Sequence, residues 1–325
     1  MMPRAMGCMM APLMSPPASV EVHGLVHDYG EYRALRGVDF SVGQGEIFGL
    51  LGPNGGGKTT LFRILATLIR PAGGRALIFG RDVVREAREV RLSMGVVFQS
   101  PALDRKLTVR ENLDVQGRLY GLGGETLRKA MDDMLQRLRL LDRAETRVDR
   151  LSGGLMRRAE IAKGLLHRPR LLLMDEPSSG LDPGARQDLW DLLGGLRESH
   201  GTTLLLTTHL MEEADRCDRL AILSEGTLVA EGTPRELKGE IGGDVIVITT
   251  AVPVEVRDGI ERRFGGPVQV VDGTVRIERP SGHELIPRIV EAFADRIDAV
   301  TLGRPTLLDV FIRKTGHRFL GDQAA

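Results

Sequence analysis

Gly52-Pro53-Asn54-Gly55-Gly56-Gly57-Lys58-Thr59 fit the phosphate-loop pattern G-x-x-x-x-G-K-[ST]. In such a loop the backbone N–H groups turn toward one anion, while a lysine and a hydroxyl supply a cation and a magnesium ligand. The flanks suit that chemistry. Residues 46–51 (EIFGLL) read as a buried strand, and residues 60–69 (TLFRILATLI) place apolar side chains at helical spacing. The start of that helix adds the favourable end of its dipole to the turn. A nucleoside triphosphate is expected here, in contact with the whole stretch from Gly52 to Thr60. Lys58 would reach its β- and γ-phosphates, and the Thr59 hydroxyl would face magnesium.

Two carboxylates, Asp175 and Glu176, end the apolar run 171–174 (LLLM). A carboxylate at a strand tip beside a phosphate loop can hold magnesium, a role assigned to Asp175. Glu176, one residue on, can polarise the attacking water. Phosphoryl transfer has a loose transition state, so catalysis rests on positioning and charge stabilisation. A general base adds about a hundredfold or more. Leu151-Ser152-Gly153-Gly154, ahead of the helical stretch 155–166, is a second candidate anion site. Ser152 offers a hydroxyl and a helix cap, and the glycines let a phosphate approach the backbone.

These groups need a scaffold. Residues 20–27 and 38–42 alternate as strands and could pair in an antiparallel layer. Further strands are read at 74–79, 94–98, 171–174 and 203–207, the last two as apolar runs suited to a parallel sheet buried on both faces. Between 108 and 147 the spacing turns helical, with Met131, Met134, Leu135, Leu138 and Leu141 as core. Strands alternating with helices imply an α/β core with ligands at the strands' carboxyl ends. A composition shift at 238–243 reads as a linker. Beyond it, strands at 244–250, 268–271, 275–278 and 299–302 and helices at 254–264, 283–293 and 306–313 suggest a small α+β domain over 244–325. Residues 1–19 are expected to be a disordered leader, with Met14 as an alternative start.

Composition narrows the partners. Lysine plus arginine equal aspartate plus glutamate at 44 each, and aromatics make up 4%, so nucleic acid is not expected as a partner. No run approaches the length of a membrane span. The 2 cysteines, Cys8 and Cys217, lack metal-ligand spacing and suit a reducing, cytosolic setting.

The order of the pieces matters most. Over residues 20–237 the chain closely resembles the ATP-binding subunit of ABC transporters, a P-loop NTPase fold with an antiparallel β layer and a helical subdomain, here about 100–165. The resemblance implies that Tyr29 stacks on adenine, that Gln99 touches magnesium and faces the membrane partner, and that Leu151 to Gly154 are the LSGG signature. It also implies that Glu176 and His209 serve hydrolysis, that Lys58 supports them, and that Asp182 bridges two subunits. ATP and Mg2+ are the implied ligands. The chain carries one phosphate loop and one LSGG, so the family pattern implies a head-to-tail homodimer with Ser152, Gly153 and Gly154 covering the partner's ATP. Glu212, Glu213, Asp215 and Cys217 are expected on a helix surface.

Thr108-Val109-Arg110-Glu111-Asn112-Leu113, His209-Leu210-Met211-Glu212-Glu213-Ala214 and Pro305-Thr306-Leu307-Leu308-Asp309-Val310-Phe311 resemble the drug-exporter branch, of the doxorubicin-resistance type. That implies a separately encoded integral membrane permease, a peripheral location on the cytoplasmic face of the membrane, and multidrug or antibiotic efflux as one cargo class. A soluble ABC ATPase acting on ribosomes or DNA is the alternative. Departures from the family pattern are Gly56, where alanine or serine is usual, Leu155-Met156 after LSGG, and Gly164 inside the signature helix.

Overall fold

The computed structural model describes residues 18–316. Most of the expected leader therefore lies outside the described residues, but its last residue belongs to the fold. Ser19 is buried, its N–H donates to Val42 O at 2.7 Å, and its hydroxyl shares a 2.9 Å hydrogen bond with that of Thr203.

Strands β1 (Val20–Tyr29) and β2 (Tyr32–Val42) form the first antiparallel hairpin. The apolar run β3 (Ile47–Leu51) leads through the phosphate loop into α1 (Lys58–Leu65). This helix starts two residues before the expected one and stops at Leu65, because Thr67 takes a left-handed φ of 61°. Then follow β4 (Gly73–Ile78), β5 (Arg81–Asp82), α2 (Ala87–Ser93) and β6 (Met94–Val97). The helical region holds α3 (Val109–Leu119), opened by a capping box of Thr108 and Glu111, and α4 (Gly124–Arg137). The signature helix α5 (Gly153–Leu165) precedes β7 (Leu171–Asp175), α6 (Pro183–His200), β8 (Thr203–Thr208) and the short α7 (Met211–Ala214).

Next come β9 (Arg219–Ser224), β10 (Thr227–Gly232) and α8 (Pro234–Gly239). Helix α6 and strands β9 and β10 have no counterpart among the expected elements. The terminal part holds β11 (Asp244–Thr249), α9 (Pro253–Phe264), β12 (Val268–Val271), β13 (Thr274–Arg279), α10 (Gly282–Ala292), β14 (Ala299–Gly303) and α11 (Leu307–Thr315).

Three sheets result. The antiparallel layer runs β2-β1-β4-β5, the central sheet β10-β9-β3-β8-β7-β6, and the terminal sheet β12-β13-β11-β14. In the central sheet only the β9–β10 pair is antiparallel; its other pairs are parallel. The apolar runs serve two cores at once. Leu172, Met174, Leu204 and Leu206 join the helical side, while Leu171, Leu173 and Leu205 pack with α1 and the antiparallel layer. Gly95 lets α5 approach β6 closely, since a β-carbon there would lie 2.2 Å from Gly164 O. Gly164 is less constrained: a β-carbon on it would meet the Leu172 side chain at 3.3 Å, a contact that a small shift relieves.

Residues 238–243 are no free linker. Ile241 is buried in one core with Leu237, Val245, Leu307, Val310 and Phe311, a core that also holds Leu51, Ala214 and Ile222. The alternation of β11 explains this: Ile246 and Ile248 face α9 and α10, while Val245 and Val247 face α11. A buried Arg276–Asp309 ion pair fixes α11 to β13. Arg313 donates to Glu240 O, fixing the same helix to the end of α8.

Candidate nucleotide and hydrolysis site

Between β3 and α1 the loop is built as the sequence requires. Gly55 and Gly57 take φ of 81° and 102°, where a side chain would strain the backbone. Gly52 is needed for space, because a β-carbon would sit 2.3 Å from Leu223 O. Gly56 has an ordinary φ, and a β-carbon there would meet Pro53 O at 3.0 Å. Lys58 is buried, and its ammonium donates to Gly52 O at 2.7 Å and Pro53 O at 3.0 Å. Burial lowers its pKa, against the pull of Glu176 and Asp175. Asn54, Gly55 and Thr59 are exposed, so the loop presents a cation and a helix N-terminus to an anion. The donor set fits a triphosphate.

The tips of β6, β7 and β8 bring the other expected residues to Lys58. Gln99 Nε2 donates to Glu176 Oε2 at 3.1 Å, and Lys58 Nζ lies 3.8 Å from Glu176 Oε1. His209 Nδ1 is 3.2 Å from Glu176 Oε2, an ion-pair distance without the alignment of a hydrogen bond. Thr207 ties the Asp175 carboxylate to the Glu176 backbone. Its hydroxyl donates to Asp175 Oδ1 at 2.6 Å and accepts from Glu176 N at 2.9 Å. Burial pushes the Asp175 carboxyl up, opposed by that hydroxyl. Glu176 moves down through its contact with His209, and His209 moves up through the same contact.

These shifts fix a pH window for stability. His209, raised, stabilises the fold below the ordinary imidazole value and loses that effect as pH rises through its folded value. Glu176, lowered, stabilises above the ordinary carboxylate value and loses that effect as pH falls through its folded value. Both contributions hold between about pH 5 and 6. His209→Gln should therefore lower the melting temperature most in that window, with the difference shrinking toward alkaline pH. A difference that grows with pH would contradict the pairing.

The signature lies elsewhere on the chain. Ser152 caps α5, its hydroxyl accepting from Leu155 N at 3.4 Å, and both Ser152 and Gly153 are exposed. Their surroundings are the loop after β7 and the first turn of α6: a β-carbon on Gly154 would lie 3.2 Å from Ala185 Cβ, and one on Gly153 3.9 Å from Leu181. Asp182 caps α6 through Ala185 N at 3.0 Å. Tyr29, at the β1–β2 turn, is 43% exposed and stands edge-on to His27. Its cross-strand neighbour Tyr32, which sequence reasoning passed over, donates from its hydroxyl to Gly55 O at 3.2 Å.

Three further groups are buried against expectation or without one. Arg157 on α5 reaches the backbone at the ends of β6 and β7. Glu213, expected on a helix surface, is buried and accepts from Thr208 Oγ1 at 2.6 Å and from the Ser178 hydroxyl. Cys217 is likewise buried, with its thiol pushed upward by desolvation. Surface spacing misled because the short α7 turns this face onto the central sheet: Glu213 meets Ser178 and Thr208 beyond β7 and at the end of β8, and Cys217 joins the core of Leu204 and Leu206.

Known proteins share this arrangement. The family pattern described as ABC transporter matches residues 35–179. The daunorubicin resistance ATP-binding protein DrrA2 of Streptomyces coeruleorubidus is 39% identical over 92% of this chain and 96% of its own. The chain belongs to the ABC transporter ATP-binding proteins. The Nod factor export ATP-binding protein I of Paraburkholderia xenovorans is 42% identical to this ABC ATPase over 93% of this chain and 98% of its own.

Among solved structures, cbiO1 from Clostridium perfringens, part of an ABC transporter complex, superposes with a TM-score of 0.64 at 27% identity. It covers 76% of this chain and 96% of its own. A dimeric ATP-binding cassette in a post-hydrolysis state with ADP and Pi gives 0.60 at 28% identity, over 66% and 98%. The expected fold class and drug-exporter branch agree with these relatives, and the cassette is an ATPase. An ATPase acting on ribosomes or DNA finds no support among them. Among the described residues no helix is long and apolar enough to cross a membrane.

Proposed function

We propose that this ATPase powers export through a separately encoded membrane permease, working as a homodimer that clamps ATP between the phosphate loop of one copy and the LSGG of the other. One observation carries the reading. Lys58, Gln99, Glu176 and His209 meet at the strand tips, whereas Ser152 and Gly153 stand exposed beside Leu181 and Ala185. A site split in this way needs a second copy to close it.

In this reading Tyr29 lies against adenine, and the backbone from Gly52 to Thr60 cradles the phosphates. Lys58 reaches the β- and γ-phosphates and stabilises the negative charge on their oxygens. Glu176, held ionised by its histidine contact, orients the attacking water and accepts its proton. His209, on the same carboxylate, steadies that geometry and faces the γ-phosphate. Thr59, Gln99 and Asp175 would hold the magnesium ion, which neutralises phosphate oxygens when bound.

Residues 20–237 then form the ATP-binding domain, with its helical subdomain at about 100–165, and 244–325 an accessory domain. The protein would sit peripherally on the cytoplasmic face of the membrane. Exposed Leu68, with Gln116 and Tyr120 of the helical region, lines the groove that leads toward Phe98 and would receive the permease. The relatives' names put drugs of the daunorubicin kind and Nod-factor-type signals forward as cargo classes. Gel filtration tests the dimer. Glu176→Gln with ATP should elute at twice the monomer mass and return to monomer when ATP is removed; a strict monomer at saturating ATP would refute the clamp.

A further inference from the structure

Arg157 is 6% exposed and makes contacts that no surface helix needs. Nε donates to Pro177 O at 2.6 Å, Nη2 to Glu176 O at 3.1 Å, and Nη1 to both Phe98 O at 2.7 Å and Glu160 Oε2 at 2.9 Å. Phe98 precedes Gln99, so one guanidinium grips the backbone beside both residues that meet over the hydrolysis site. Glu160 extends the grip by accepting from Ala102 N at 2.6 Å, and Lys163 donates to Ala102 O at 2.6 Å. The segment around Gln99 is thus tied to α5 at both ends.

We propose that Arg157 is a positioning residue that holds the Gln99 and Glu176 backbones in hydrolysis geometry and relays movements of the LSGG helix to them. The proposal rests on the role given above to Glu176. Three observations support it. Glu176 has a φ of 45°, a conformation that L side chains rarely adopt. Its backbone is pinned on both sides, by Thr207 at the N–H and by Arg157 at the carbonyl.

Second, there is no slack between α5 and β6, because the Gly164 carbonyl occupies the space of the missing Gly95 β-carbon. Third, Arg157 lies five residues beyond the cap Ser152, about 7.5 Å along the helix axis. A shift of LSGG against a partner's nucleotide therefore moves the guanidinium, and with it three carbonyls. Only a planar fork with five N–H groups can serve this acceptor set; an ammonium on a flexible stem cannot.

The test is steady-state ATP hydrolysis by the full chain, with affinity measured separately using a fluorescent ATP analogue. Arg157→Lys should melt cooperatively, bind within about threefold of the parent affinity, and lose about tenfold or more in kcat, because small misplacements of reacting groups are costly. Wild-type kcat in Arg157→Lys, with Glu176→Gln inactive, would overturn the proposal and leave the site reading standing. Parallel loss of affinity and kcat would also overturn it, since Arg157 would then only support the fold. A Glu176→Gln variant that hydrolyses at the wild-type rate would overturn the site reading and this proposal with it. Should Arg157→Lys fail to fold, Glu160→Gln decides: it weakens the anchor of Arg157 and should lower kcat at least threefold at unchanged affinity. Wild-type kcat in that variant would overturn the proposal.

Discussion

Glu176→Gln is expected to cut ATP hydrolysis by about a hundredfold or more while leaving ATP binding intact. The substitution keeps the shape and removes the charge. Glu176 has His209, Gln99 and Lys58 around its carboxylate, and its pKa is held below the ordinary range. The group is therefore ionised at neutral pH and able to take a proton from water. Its awkward backbone does not depend on the side chain, because Thr207 and Arg157 hold the N–H and carbonyl. The variant should fold normally, so a loss of turnover reports chemistry. Single-turnover hydrolysis measures it, and a rate within a few-fold of the parent would remove Glu176 from the role of base.

Phe311→Ala is expected to destabilise the whole chain by about 3–5 kcal/mol, the usual range for emptying a large aromatic site in a close-packed core. Phe311 is fully buried, and its core reaches Leu51, the residue just before the phosphate loop, and Ala214 at the end of α7. A defect in the last helix should therefore appear in the transition of the central sheet. Urea unfolding followed by circular dichroism reads this as a lower midpoint of the main transition. An unchanged main transition, with only a small early step, would mean that the terminal sheet and α11 unfold on their own.

Both outcomes bear on what could be read from residues alone. The phosphate loop was legible because its requirements are local. Gly55 and Gly57 supply left-handed turns, Lys58 and Thr59 follow at fixed spacing, and the apolar runs before and after declare their periods. The same holds for the Asp175-Glu176 strand tip and for the cap at Ser152. Arg157 and Arg158 show where that legibility stops. In sequence they are an ordinary basic pair on a helix; in the fold Arg158 reaches out to Asp188 at 2.6 Å, while Arg157 turns inward to three backbone carbonyls. One residue of helical rotation separates the two outcomes, and it depends on where β6 and β7 end. Glu213 and Cys217 read as surface for a related reason: their shared helix face turns onto the central sheet, where Glu213 meets Ser178 and Thr208 and Cys217 packs against Gly49 of β3.

The sequence by itself determined the chemistry, because an anion cradle, a strand-tip carboxylate and a helix cap are each set by neighbours within a few residues. Tertiary structure alone decided how those parts are held against one another. Glu176 meets Gln99 across 77 positions of chain, and Arg157 joins segments 19 to 59 positions away. Such meetings follow from the stacking of β6, β7 and β8 and the close approach of α5, which no local pattern encodes.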